Sequence, residues 1–301
     1  CAQPKGSRER ERHLLLLLRR FAPPSERSSS LTTTVCSRLT TASGGMGGTT
    51  PSSLKKAPGG VKVDSAAAAA LEDVPFTHLH VHSQFSVLQA VSPVGELVSA
   101  AKEMGMPALA VTDHGNMHAA CSFYNAAKAA GIKPIMGIEA YVAPDVNGLP
   151  SDRLRKEATG VADGGFHLVL LAENQTGWRN LLKLSSDAFV NGFYYKPRMD
   201  KSTLAQWSEG IIAINGHLGS SIAYHLCQYE LTKNEEHYQR AIEEAKWHAS
   251  VFKPNEKGEP RFYLELQNHD VREQQQIIPH VKRMAKELDM PLVGDNDAHY
   301  L

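Results

Sequence analysis

From Phe76 onward the chain alternates between short apolar runs and longer segments of helical period, and that alternation limits its fold more than any other feature. The runs predict strands over Phe76–Val81, Ala108–Thr112, Pro134–Tyr141, His167–Ala172, Gly210–Asn215, Phe262–Gln267 and Pro291–Gly294. Helices are predicted between them, over Val94–Met104, Met117–Ala130, Thr176–Asn191, Ser220–Tyr229, Glu235–Phe252 and Val271–Leu288. Such alternation implies an α/β protein of parallel strands joined by right-handed crossovers. About seven such units close more naturally into a barrel than into an open sheet. The polar, glycine-containing stretch Asp145–Gly165 is expected to be a surface insertion. No glycine pattern suited to a dinucleotide or P-loop turn is present.

Residues 1–72 have another character. They are rich in Ser, Thr, Gly, Pro and Arg, carry an Ala66–Ala70 run, and show no sustained period. Such a segment cannot bury a core, so it is expected to be disordered or non-native, with the folded domain over residues 73–301. An organelle transit peptide is the weaker reading, because Glu9, Glu11 and Glu26 are acidic. Cys1 is no initiator, Met46 is the expected start, and the end at Leu301 reads as the edge of a fragment. No apolar run approaches the ~18 residues of a membrane span. Lys+Arg and Asp+Glu both total 32, so any nucleic-acid contact must come from a local patch or from elsewhere. The four cysteines (Cys1, Cys36, Cys121, Cys227) show no metal-ligand spacing and suit a reducing cytoplasm.

Histidine is the outlier, at 14 residues. The stretch FTHLHVHSQFS sets His78, His80 and His82 at alternate positions, which on a strand share one face. Taken alone, that face could simply be solvated, since imidazole nitrogens need partners once buried. The other strands offer matching groups. LAVTDHGNM ends in Asp113 and His114, IMGIEAYV carries Glu139, GFHLVLLAEN carries His167, IIAINGHLGS ends in His217, and LVGDNDAHYL ends in Asp297 and His299. Each has an ordinary reading of its own: turn chemistry for Asp113 with Gly115, a lysine-paired acid for Glu139, exposed loop polarity for His167 and His217. Jointly they crowd the region where barrel strands end and function gathers, which points to a multinuclear metal site. Imidazoles and carboxylates without thiolates suit Zn, Mn or Fe. Two or three such ions about 3.5–4 Å apart would clamp a phosphoryl group and activate water, so phosphate-ester hydrolysis is the expected chemistry.

These motifs resemble the polymerase and histidinol phosphatase (PHP) superfamily. FTHLHVHSQFS, ALAVTDHGNM, GIKPIMGIEAYV, FHLVLLAENQTGWRNLLKLSS, GFYYKPRMDK and DNDAHYL resemble, more narrowly, the N-terminal PHP domains of bacterial replicative DNA polymerase III alpha subunits, over Phe76 to Leu301. The resemblance implies a distorted (β/α)7 TIM-like barrel with two to three divalent metals. Carried over, the metal ligands fall on His80, His82, His114, Glu139, His167, His217, Asp297 and His299, with His80, His82, Glu139, Asp297 and His299 catalytic and His78 in support. A cysteine often stands where this chain has His217, and an acid often stands where it has Gln89. The implied parent is a DNA-directed DNA polymerase of the cytoplasm, with its Mg-dependent palm beyond these residues. Its expected partners are primer-template DNA, dNTPs, the sliding clamp, the clamp loader and a proofreading subunit, with no membrane. The expected activity of this domain is 3′–5′ phosphodiester hydrolysis. The alternatives are a stand-alone phosphatase on a small monoester and a non-catalytic scaffold that docks a proofreading exonuclease.

Overall fold

The computed structural model describes residues 76–146, 149–150, 153 and 165–301. The expectations for residues 1–72, and for much of the Asp145–Gly165 insertion, lie outside the described residues. In chain order the elements are α1 Val94–Glu103, β1 Ala108–Val111, α2 Ala120–Ala130, β2 Lys133–Val142, β3 Asp145–Val146, β4 Leu149–Pro150 and β5 Phe166–Ala172. There follow α3 Gln175–Asn191, β6 Phe193–Tyr194, β7 Lys196–Met199, α4 Lys201–Gln206, β8 Ile211–Asn215, α5 Ser221–Thr232, α6 Glu235–Val251, β9 Phe262–Leu266, α7 Arg272–Glu287 and β10 Leu292–Gly294. Side chains fix several helix starts. Asn174 accepts from the Gly177 N–H at α3, Asp200 and Thr203 form a reciprocal capping box at α4, and Ser220 accepts from the Ala223 N–H at α5.

The main sheet runs β10-β9-β8-β5-β2-β7-β6, and β1 also pairs with β2. The segment 78–82 joins its two ends. On one side the Ala110 and Thr112 N–H groups donate to the His78 and Val81 carbonyls. On the other, His82 N–H donates to Ala298 O and Ala298 N–H to His80 O. The ring therefore has seven staves: residues 78–82, β1, β2, β5, β8, β9 and β10. Its interior is filled from every stave, by Leu79, Ala108, Ala110, Ile135, Val169, Leu171, Ile212, Ile214, Tyr263 and Val293. A larger apolar layer packs α3, α5, α6 and α7 on the outside, and a smaller one packs α1 and α2 against β1.

Two expectations need correction. Phe76–Val81 is not a regular strand; it contributes only a bridge from Val81 to Ala298. Leu79 points into the barrel, yet Val81 packs outside with α1 and α2, so the alternation of a strand is broken between them. Side chains replace the missing ladder bonds: Leu79 N–H donates to Asp295 Oδ2 at 2.8 Å and Val81 N–H to Thr112 Oγ1 at 3.0 Å. The staves are also not all parallel. β5 runs antiparallel to both neighbours, β2 and β8, while the β1–β2, β8–β9 and β9–β10 pairs are parallel. Periodicity reports that a segment is a strand but carries nothing about its direction. The β6–β7 hairpin and the short α4 were not predicted, because elements of two to six residues are too brief to show a period.

Candidate metal centre

Glu139 stands at the middle of one end of the barrel. It follows Ile135 and Gly137 on the inward face of β2, one layer above the apolar interior. Its carboxylate is 1% exposed and meets five imidazoles. Oε2 lies 3.0 Å from His80 Nε2, 2.8 Å from His82 Nε2 and 3.2 Å from His114 Nδ1. Oε1 lies 2.6 Å from His167 Nδ1 and 3.1 Å from His217 Nε2. Asp297 adds a second carboxylate, with Oδ1 3.3 Å from His80 Nε2, 3.1 Å from His82 Nε2 and 3.4 Å from His299 Nδ1. The His82 ring stacks on both His114 and His299, each centroid 4.1 Å away, and those two rings are themselves neighbours with centroids 5.4 Å apart.

The backbone reaches this arrangement through a few specific devices. Asp113 accepts from Ser83 N–H, Ser83 Oγ and Ser86 Oγ at 2.7–2.8 Å, tying the loop after His82 to the end of β1. Gly115 has φ +65°, and a side chain there would meet the Tyr141 ring, so the turn after His114 needs glycine. Gly216, at φ +147°, passes so close to Glu265 that a Cβ would lie 2.6 Å from that residue's carbonyl oxygen. That approach brings His217 beside β9. The reversal of β5 puts His167, at the start of its strand, opposite Tyr141 at the end of β2.

Donor geometry assigns the ring protons. His80 Nδ1 lies 3.1 Å from Glu265 Oε1, and His82 Nδ1 lies 3.0 Å from Ser86 Oγ, whose own hydrogen is directed at Asp113. Each Nδ1 is thus the donor in the neutral ring, which leaves the Nε2 lone pair facing carboxylate oxygens. A lone pair and a carboxylate oxygen about 3 Å apart repel unless a cation lies between them. His82 Nε2, His114 Nδ1, both nitrogens of His217 and Asp297 Oδ1 are buried without a hydrogen-bond partner. This donor set fits divalent metal ions, the cations that neutral imidazole and carboxylate together hold.

In the protein alone, protons take that place. Burial by itself lowers the His80 pKa, but Asp297, Glu265 and Glu139 outweigh it and hold the ring well above its ordinary range. His217 behaves likewise: burial opposes Glu139 and Glu265, which raise it to about 9. His82 is raised against its burial by Asp297 and Glu139. Burial raises Glu139, yet the surrounding imidazoles, His80 foremost, hold it well below the carboxylate range. Glu265 is held at about 2 by His80 and His217 despite its burial. His114 goes the other way, lowered to about 3 by burial and by the imidazoles around it, against the pull of Glu139.

Four groups of ligand atoms close enough to share an ion emerge: His82, His114 and His299; His80, His82, Glu139 and Asp297; His80, His217 and Glu265; and His114, Glu139 and His167. All eight residues expected as ligands are thus brought together. His78 is buried but stands apart from Glu139, with Nδ1 3.5 Å from Asp295. Gln89 is half-buried and its backbone N–H donates to Ser86 O. Sequence reading passed over Glu265, a fully buried acid contacting His80 and His217. The signal was an acid two residues after Tyr263 in the run FYLELQ, on the inward face of a strand already recognised. Asp295 was missed in the same way, two residues after Val293.

The chain is 39% identical over 228 residues to the DNA polymerase III subunit alpha of Borreliella burgdorferi, covering 75% of this chain and 18% of that protein. It is 40% identical over 228 residues to the subunit alpha of Thermus aquaticus, covering 75% and 17%. The chain therefore spans less than a fifth of the length of these relatives. A solved two-domain protein from Bacteroides vulgatus, titled as containing a predicted PHP-like metal-dependent phosphoesterase, aligns over 74% of this chain and 52% of that one, at a TM-score of 0.43 and 14% identity. The family model of the PHP domain matches residues 78–269, from the first histidine of the irregular stave to the loop beyond β9, and the chain belongs to that family.

Proposed function

We propose that residues 76–301 are the N-terminal phosphoesterase part of a bacterial replicative DNA polymerase alpha subunit, and that their centre hydrolyses phosphodiesters at a DNA 3′ end. The observation that carries the reading is Glu139, a single buried carboxylate whose two oxygens face two separate sets of imidazoles. That is the disposition of a bridging ligand. His80, His82 and Asp297 would hold one ion with it, His114 and His167 a second, and His299 would join His82 and His114 at the open side. Divalent ions bound there supply Lewis-acid stabilisation of a phosphoryl group and a water of lowered pKa. The chain's own groups do the rest. Glu265 and Ser86 fix the tautomers of His80 and His82, and Asp113 anchors the loop that carries them. The relation to alpha subunits supports DNA as the substrate, a cytoplasmic replisome as the setting, and clamp, clamp loader and proofreading subunit as partners of the intact protein.

The test is release of mononucleotide from a 3′-labelled primer with a mispaired end. With Mn²⁺ or Zn²⁺ loaded, release is expected from the parent chain and not from Glu139→Gln. A fully metal-loaded chain that releases nothing would overturn the reading and leave a scaffold.

A further inference from the structure

Beside the centre the protein exposes more aromatic surface than its fold requires. Phe189 and Phe193 are 40% and 50% exposed, and their rings stack with centroids 6.0 Å apart. Phe189 lies 6.2 Å from the exposed His118 ring, and His118 lies 6.4 Å from Phe85. With Phe85, which is half-buried against the layer of α1 and α2, the four rings form one continuous strip across three segments of the chain. Single exposed apolar residues are ordinary, but a contiguous run marks a surface that meets something.

The strip begins at the centre. Phe85 sits in the loop between His82 and Ser86, and its carbonyl accepts from Asn116, two residues beyond His114. Its far end is the β6–β7 hairpin, where Phe193 pairs with Pro197 and Pro197 packs at Gly115, next to His114. The same hairpin carries a cation, Lys196, whose Nζ donates to Tyr141 Oη at 3.2 Å. Tyr141 in turn lies edge-on to His167 at 4.9 Å. At the hairpin tip Tyr195 is 82% exposed in a left-handed conformation, φ 58°, that aromatic residues seldom adopt. Such backbone strain gathers where a site is built.

We propose that the Phe85–His118–Phe189–Phe193 strip is a stacking track for the bases of single-stranded DNA, with Lys196 meeting the phosphate chain close to the ligands. The inference rests on the reading of the centre as a phosphodiesterase. Flat rings leading to a metal centre, with a cation alongside, match a strand whose base faces are open and whose backbone is anionic. A duplex hides those base faces and would gain nothing from the strip.

The test is equilibrium binding of a cleavage-resistant phosphorothioate oligothymidylate of about 12 nucleotides to the full metal-loaded chain, read by fluorescence anisotropy. Phe189→Leu and Phe193→Leu keep an apolar side chain but lose the ring face. Each is expected to weaken binding about 5- to 100-fold, with metal content unchanged. Phe193→Trp should restore binding, and Lys196→Gln should flatten its salt dependence. The proposal is overturned if an abasic oligomer binds as tightly as oligothymidylate, or if the leucine variants match the parent; a strip reserved for a protein partner would give that result. Failure of the phosphodiesterase reading looks different: ring-dependent binding without release of nucleotide from a cleavable strand.

Discussion

His167 Nδ1 lies 2.6 Å from Glu139 Oε1, although the two residues belong to strands that run in opposite directions. In an all-parallel barrel a residue at the start of a strand would sit at the far end from the site. Reversal of β5 moves His167 to the end where Glu139, His217 and Glu265 gather. One carboxylate can then face two groups of imidazoles, and several consequences of that arrangement are measurable.

Glu139→Gln is expected to be the most damaging single ligand substitution. It keeps the shape but removes the charge that five imidazoles face. Bound metal should fall from at least two ions per chain to less than one after dialysis, whereas His299→Gln should cost at most one. Phosphodiesterase turnover of Glu139→Gln should drop by about a hundredfold or more. Plasma mass spectrometry of the dialysed proteins checks the first point. Equal metal loss in the two variants would contradict a bridging role.

Glu265→Gln tests the acid that positions His80 and His217. An amide cannot hold both imidazoles as a carboxylate does, so metal affinity should fall by about 10- to 100-fold. Competition against a chelator of known affinity measures it. Unchanged affinity would make Glu265 a bystander.

The protons that occupy the metal-free centre give it a distinctive pH dependence. A raised histidine pKa stabilises the fold fully below the ordinary value of about 6.5, and that stability is lost as pH rises through the folded value, about 9 for His217. The depressed Glu265 acts in the other window, stabilising above the usual carboxylate range and losing that contribution as pH falls toward about 2. His114, lowered to about 3, subtracts stability below about 6.5, where only the unfolded ring is protonated. The melting temperature of the chelated protein should therefore decline between about pH 6.5 and 9, and metal should reverse the decline. Metal uptake at pH 7 should also release protons, detectable by calorimetry in buffers of different ionisation enthalpy. Uptake without proton release would contradict the assignment.

Gln89→Asp bears on the most exposed group, His82, His114 and His299. Three neutral imidazoles hold an ion less firmly than the same rings with an acid. The substitution should raise occupancy of that position and increase turnover at limiting Mn²⁺. Identical titrations for variant and parent would show that position 89 has no part in the site.

Alternation of apolar runs and helical segments was enough to place every long helix and most staves, because burial of one face imposes a period readable without coordinates. The chemistry at the strand ends was equally legible, since His80, His114, Glu139 and Asp297 are not residues that a barrel needs for packing. Strand direction and spatial neighbourhood were not. Nothing in FHLVLLA states that it runs against its neighbours, and only the tertiary pairing carries His167 to Glu139. Alternation along FYLEL can put Glu265 on the inward face with Tyr263, but which imidazoles it meets is decided only when Gly216 lets the backbone close on it. The regular strand read from Phe76–Val81 failed for a related reason. Its two histidines, and His82 just beyond it, are buried, and their partners Asp295, Glu139 and Asp297 lie 57 to 217 residues away, so long-range contacts, not local period, decide that backbone. A chain's own sequence determines which segments have a face to bury and which side chains can do chemistry. Which carboxylate meets which imidazole depends on contacts between residues far apart in the chain, and those exist only once the barrel closes.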